Sequence, residues 1–514
     1  MRLRHSASSA CPARSADDPV PASRSAGVNS PRAWPEPRCP RTRPSAVWSG
    51  SVRNAVAQRG STLVIVLWIA FGLVSITLYF AHAMSFELRA SDNRVTGLAA
   101  DQAIEGAARY VNYLLANQVA NGSNGILLDP AFYPHEGVTV GEAHFWLIGR
   151  DTNEPPTHLN QLFFGLVDEA SKLNLNTATS NMLSWLPRMT LDLAAAILDW
   201  RDTNGGSASQ MYYAMLRPPY QCKSAPFETV DELRLVFGAT MDILVGEDVN
   251  RNGILDENEN DENRNGLADP GVLEYFTVYS REPNTRSDGS QRISVRSLTS
   301  TSSGQLSSLL QTNLGAARAG QILSQLGLAS TGGRGGRGGG GGGGAPVTRT
   351  FRSPLQFYAQ SGMTADEFAK VANDITVSSG ACIEGRVNVN TASVTVLACL
   401  LGGSTDLAQQ LVNYRVSNPD KLTSVAWVAD ALGQNNPDAL QTLQAGDYLT
   451  TRSYQYTADV AALGPYGRGY RRTHFVFDTS EGAPIILYRQ DLSHLGWALG
   501  KTVRATMRLA NETR

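Results

Sequence analysis

Apolar residues follow three rhythms along this chain, and each predicts a different element. From Ser61 to Ala81 they are nearly continuous. No charge interrupts the run, and its polar members, Ser61, Thr62, Ser75 and Thr77, can each back-bond to a helix carbonyl. At 1.5 Å per residue such a helix covers about 30 Å, the hydrocarbon thickness of a bilayer. Beyond it, Leu88, Val95, Leu98, Ile104, Ala107, Val111 and Leu114 recur largely at helical steps. This predicts that the same helix continues into a globular unit with one face buried. Near the other end, YTADVAALG (456–464) and THFVFDTSEGAPIILYRQD (473–491) alternate apolar and polar residues around a turn. They predict a pair of strands.

Between these regions the chain repeats itself. LNLNTATSNMLSWLPRMTLDLAAAILDWRDTN (173–204) aligns without a gap on VNVNTASVTVLACLLGGSTDLAQQLVNYRVSN (387–418), at a constant offset of 214 residues. FETVDELRLVFG (227–238) and LTSVAWVADALG (422–433) follow the two copies. Each unit reads as a helix, a short turn, a second amphipathic helix, a loop and a third helix. Asn-Thr-Ala is expected to cap the first helix, since short polar side chains satisfy free amides there. Asp192 and Asp406 fall near the start of the second helix, where its dipole favours a carboxylate. Thr229 and Glu232 have capping-box spacing. The pattern is similar to helix-hairpin-helix units, many of which hold DNA phosphate on a Gly-rich turn. The turns here, LPRMTLD and LLGGSTD, are not surrounded by Lys or Arg. A packing scaffold is therefore expected rather than a DNA contact.

Composition refines this picture at three places. The net charge of −2 gives no overall basic excess for nucleic acid, and 42% hydrophobic residues in 514 suit one large or two medium globular units. The first fifty-odd residues are rich in Arg, Pro, Ser and Ala and lack hydrophobic periodicity. They are expected to be disordered, and a start codon set too far upstream would explain them, with a leader beginning near Val52. Cys11 and Cys39 lie there, leaving Cys222, Cys382 and Cys399. Two of these three could pair in an oxidising compartment, or stay as buried thiols. The run TGGRGGRGGGGGGGAPV (331–347), with the Ser/Thr/Gly/Gln-rich 297–330 before it, is expected to form a flexible linker.

RGSTLVIVLWIAFG (59–72) admits three readings: a membrane anchor, a secretory signal, or the leader junction of a pilin-type protein. Ala81-His82-Ala83 has the A-x-A form of a signal-peptidase site, but the apolar run exceeds the usual 7–15 residues. Arg53 and Arg59 precede the run and the first acid after it is Glu87. The N-terminal side is thus expected in the cytoplasm and the long remainder outside.

Residues 247–271, EDVNRNGILDENENDENRNGLADPG, carry a metal-type spacing. From Asp248, oxygen-bearing Asp248, Asn250, Asn252, Asp256 and Glu259 occupy positions 1, 3, 5, 9 and 12. Gly253 stands at the bend, and the Ile254 carbonyl is available at position 7. A hard cation wants six to eight oxygens, and this is the EF-hand-type Ca²⁺ spacing. Asp261, Asn263, Asn265, Gly266 and Asp269 restart the pattern, but Val272 stands at position 12, so a second site looks incomplete. The scattered histidines form no metal or catalytic motif, and no nucleophile elbow or phosphate-cradling loop occurs. An enzyme is not expected.

Several of these stretches together resemble one family, the type II secretion system protein K, a large minor pseudopilin. They are the RG-S-x-L-V-I-V-L-W junction, GLVDEASKLNLNTA (165–178), AAAILDWRD (194–202), YQCKSAPFETVDELRLVFG (220–238) and the second VNVNTA. The resemblance implies a leader cut after Gly60 by the prepilin peptidase, leaving Ser61 first. It implies an α+β fold: a long pilin-like N-terminal helix packed on a small antiparallel sheet, with a large inserted helical domain holding the two repeats and calcium sites. It further implies a tip position on the periplasmic pseudopilus beside other minor pseudopilins and above the major pseudopilin, with a single pass through the inner membrane. The alternative is a minor pilin or competence-type protein binding DNA through the repeats. Mature position five is Ile65, where most pilins carry Glu. This family typically lacks that Glu, and a capping subunit has no next amine to pair with a costly buried carboxylate.

The expected organisation is a preface and leader over 1–60, the long helix over 61–115 and the first part of a pilin-like body over 116–170. The insertion follows over 171–296 with the acidic loop, then a linker over 297–350, the second repeat over 351–451 and C-terminal strands over 452–500.

Overall fold

The computed structural model describes residues 61–152, 161–203, 210–298, 300–328, 349–433 and 436–512. The chain divides into two units, 1–89 and 90–514. A single helix, Ser61–Ala120, contributes to both and ends five residues beyond the expected 115. Within the first unit its side chains are exposed from Leu63 to Phe80. Ser75 and Thr77 return their hydroxyls to the carbonyls of Phe71 and Val74 at 2.8 and 2.9 Å, hiding their polarity as expected. Among the described residues this one helix is long and apolar enough to cross a membrane. Gly60 lies outside the described residues, and Ser61 is the first residue of the helix.

In the second unit the helix packs on a six-stranded sheet. Its strands are β1 (Val138–Val140), β2 (Ala143–Ile148), β3 (Val167–Asp168), β4 (Gln455–Leu463), β5 (Arg471–Asp478) and β6 (Ile485–Asp491). The order is β1-β2-β4-β5-β6, every pairing is antiparallel, and β3 also pairs with β4. The sheet therefore joins chain segments about 300 residues apart, and the helical region is inserted between β3 and β4. Alternation along β4 decides which layer each side chain meets. Tyr456, Ala458, Val460 and Ala462 join Ala103, Ile104, Ala107 and Val111 of the long helix. Val95 and Leu98, expected in that buried stripe, are exposed, and Ala100 and Ala103 line it instead. Thr457, Asp459, Ala461 and Leu463 face the opposite way, where Ala461 and Leu463 pack with Trp146, Ala498 and Leu499.

The sequence repeat is also a contact repeat. The first copy of the repeat holds helices Ser180–Ser184 and Leu191–Arg201; the second copy holds Val394–Leu400 and Thr405–Ser417. Arg201 donates to the carbonyls of Leu175 and Ala178, and Arg415 to those of Val389 and Ala392, at the same offset of 214. Asn176 and Asn390 tie each unit to its third segment through Phe227 and Leu422. The expected cap is corrected. Asn174 and Asn388 accept from the amides two residues on, which is a local turn, and Thr179 and Ser393 cap the first helices. Cys222 and Cys399 are buried free thiols, and burial pushes the Cys399 thiol up to about 12.

The linker expectation over 297–350 is also corrected. Residues Ser300–Leu314 and Ala316–Gln325 form two helices, whose Leu306, Leu310, Ile322 and Leu323 enter the core of the insertion. Apolar residues four apart outweigh the polar composition here. The glycine run itself lies outside the described residues.

A buried ion cluster holds the insertion together. Glu282 accepts from Arg292 at 2.6 Å, Arg386 at 3.1 Å and Thr450 at 3.0 Å, and Arg386 also reaches Asp447 at 2.7 Å. Burial raises the Glu282 carboxyl, but Arg386 and Arg292 outweigh it and bring it down to about 2. Because the folded value lies below the ordinary carboxylate value, the contribution is in place above about pH 4.5 and is lost as pH falls towards 2. The shift corresponds to roughly 3 kcal/mol. Urea unfolding at pH 6 and at pH 3 should therefore show Glu282→Gln well below wild type at pH 6, with the gap narrowing at pH 3. A gap that is constant with pH would contradict the assignment.

Candidate cation site in the acidic loop

The acidic segment is clamped at its base. Gly271 donates to the Val245 carbonyl at 2.8 Å and Glu247 to that of Asp269 at 2.9 Å. The backbones cross so closely that a Cβ on Gly246 or Gly271 would lie 2.4 and 2.3 Å from backbone atoms. Only glycine fits such an approach.

Within that clamp the chain folds two loops, thirteen residues apart. Asp248 accepts from the amides of Asn252 (2.9 Å) and Gly253 (2.7 Å); Asp261 accepts from those of Asn265 (3.2 Å) and Gly266 (2.9 Å). Asn252 accepts from Ile254, and Asn265 from Leu267. Asn250 and Asn252 donate to Asp256, and Asn263 and Asn265 to Asp269. The backbone repeats as well: Arg251 and Arg264 have φ of 56° and 60°, Gly253 and Gly266 of 84° and 77°. The expected residues Asp248, Asn250, Asn252, Ile254, Asp256 and Glu259 thus belong to one loop whose side chains are mutually bonded.

Position 12 distinguishes the loops. Glu259 closes the first, accepting from the amides of Asn250 at 3.1 Å and Asp256 at 3.0 Å. In the second, Val272 stands at that position and is wholly buried. Its place is taken from the other side by Glu247, which accepts from Glu262 at 2.9 Å and Asp269 at 3.1 Å. Sequence spacing missed Glu247 because it precedes the first loop, whereas a position-12 ligand follows its own loop.

The donor set is all oxygen, as Ca²⁺ requires. Asn250 is 3% exposed, and its Oδ1 is buried with no hydrogen-bond partner. That orphaned acceptor fits a cation, since an unsatisfied buried carbonyl is costly. Burial pushes the carboxyls of Asp248 and Glu259 up, and the charges of Asp248 and Asp256 add to the rise at Glu259. Among the described residues no three His, Cys, Asp or Glu side chains are grouped to hold a metal by themselves. Amide and backbone oxygens would therefore have to complete the shell, as the spacing implies. Two arginines brace the first loop from outside. Arg150 donates to the Arg251 carbonyl at 2.9 Å, while the fully buried Arg472 donates to the carbonyls of Asn250 and Arg251.

The family model for type II secretion system protein K matches residues 171–245, ending just before the acidic loop. No curated protein sequence matches the chain. Among solved structures, a chain of the GspK-GspI-GspJ complex of the enterotoxigenic Escherichia coli type 2 secretion system aligns over 79% of this chain and 99% of its own. That alignment has 10% identity and a TM-score of 0.36. Over residues 171–245 this chain is similar to type II secretion system protein K, the family its motifs resemble.

Proposed function

We propose that this chain is a structural minor pseudopilin at the tip of a type II secretion pseudopilus, supporting export of folded proteins across the outer membrane. The observation that carries this reading is the family match at 171–245 together with a long apolar helix from Ser61. In this reading the prepilin peptidase cuts between Gly60 and Ser61. The apolar helix is a single pass through the inner membrane, and the second unit stands in the periplasm. Its partners are the other minor pseudopilins of the tip and the major pseudopilin below them. It performs no catalysis.

Each acidic loop holds one Ca²⁺ in this reading. Asp248, Asn250, Asn252, Ile254, Asp256 and Glu259 serve the first, and the second draws on Asp261, Asn263, Asn265, Asp269 and Glu247. The helical repeats act as packing scaffolds in helix-hairpin-helix style, without nucleic acid. Arg188, the cation in the first turn, is engaged by Asp242, Glu247 and Glu262 at 3.2–3.7 Å, so its charge is already met.

Co-expression of the full chain with the other minor pseudopilins of its own system tests the assignment. A stoichiometric complex in detergent is expected, and Ile65→Glu should not increase pseudopilus assembly. A chain that stays apart from them, or a gain in assembly with Ile65→Glu, would contradict the tip position.

A further inference from the structure

The two loops differ in one respect that their shared spacing does not explain. In the second, the side-chain amides of Asn263 and Asn265 donate to Asp269 of their own loop. In the first, Asn250 and Asn252 donate within the loop and also outward, to the carbonyls of Trp497 and Ala498 at 3.1 and 3.3 Å. Those carbonyls begin the C-terminal segment. Ala498 and Leu499 are wholly buried against the sheet, and Val503 and Met507 of the helix Gly500–Glu512 pack on the same cluster. The segment is pinned further by the Trp497 indole on the Gly500 carbonyl at 2.7 Å and by Lys501 on Glu257 at 2.9 Å. Arg504 lies over the Trp497 ring at 4.8 Å.

We propose that the first cation loop is the latch of the C-terminal segment. Asn250 offers Oδ1 to the metal while its Nδ2 holds the Trp497 carbonyl, and Asn252 holds the Ala498 carbonyl beside it. An amide has both an acceptor and a donor, whereas a carboxylate is acceptor-only. Asp at these positions would still ligate Ca²⁺ but would set an anionic oxygen against each carbonyl. The orphaned Oδ1 of Asn250 marks the metal side of this bridge, and the two tail carbonyls mark the other. Filling the loop fixes the amides, and the fixed amides dock the tail. By linkage, docking must strengthen metal binding by the same factor. This inference rests on the first loop binding Ca²⁺ as proposed above.

The test uses the full chain in detergent, with calcium titrated by calorimetry and amide exchange followed over residues 496–507. In wild type, calcium should slow exchange there about tenfold, within the usual range of coupling between sites. Asn250→Asp with Asn252→Asp should bind calcium at least as tightly yet leave the tail exchanging as it does with chelator. Trp497→Ala, which leaves every ligand in place, should weaken calcium binding about tenfold by the reciprocal argument. Should the double variant fail to fold, Trp497→Ala alone decides. Calcium binding with no change in tail exchange, or unchanged affinity in Trp497→Ala, overturns the latch and leaves the cation site standing. A wild-type chain that binds no calcium overturns both.

Discussion

Calcium is expected to raise the thermal unfolding midpoint of the full chain by several degrees, and Glu259→Ala to remove a large part of that rise. A ligand that binds only the folded form stabilises it by about 2.7 kcal/mol per site at a hundredfold excess over Kd. Without metal, Asp248, Asp256 and Glu259 repel one another, and burial already disfavours charge on Asp248 and Glu259. Glu259 should matter most among the first loop's ligands, because a position-12 glutamate can supply two oxygens. Glu247→Ala should remove a separate share, since its carboxylate closes the second loop. Scans with calcium and with chelator, on wild type and both variants, measure this. Equal midpoints in every sample would leave two acidic loops and no cation site.

Arg472→Ala is expected to cost about 3–5 kcal/mol, the usual penalty for stranding a buried charge. Arg472 is completely buried on β5 and holds Asp459 of β4 at 2.8 Å through Nε and at 2.5 Å through Nη2. Truncation leaves Asp459, itself 7% exposed, without its counter-charge in the middle of the sheet. It also removes the donors to the Asn250 and Arg251 carbonyls, so the first loop loosens from the sheet. Asp459→Asn combined with Arg472→Met should cost less than the sum of the two single changes, because the partners are coupled. Urea unfolding gives the comparison, and strict additivity would contradict a paired role.

What the sequence made legible follows from how local each feature is. The apolar run, the stripe from Ile104 to Val111 and each copy of the repeat are patterns within short windows, and the structure contains the helices and contacts they describe. The spacing from Asp248 to Glu259 is equally local, and its residues share one hydrogen-bonded loop. Glu247, Arg150, Arg472 and the Trp497 carbonyl were not legible as site groups. Glu247 adjoins the first loop in sequence but serves the second, and the others meet the first loop through the fold, Arg472 from a strand more than 200 residues away. The helices over 300–325 were hidden by Ser, Gly and Gln, although Leu306 and Leu310 already carried the helical step. The Asn-Thr-Ala motif closes a turn and does not cap the helix; an Asn in either role looks alike in sequence, and only backbone direction separates them.

The pseudopilin reading is tested most directly by the N-terminal residue of the chain after co-expression with a prepilin peptidase, read by intact mass and N-terminal sequencing. Cleavage after Gly60 leaves a chain beginning at Ser61, with the whole apolar helix retained. Gly60→Val should abolish the cut, since a branched side chain crowds the position the peptidase must accept. A mature chain that begins at Met84, after Ala81-His82-Ala83, would mean that the apolar helix is discarded as an ordinary signal, and would contradict the account.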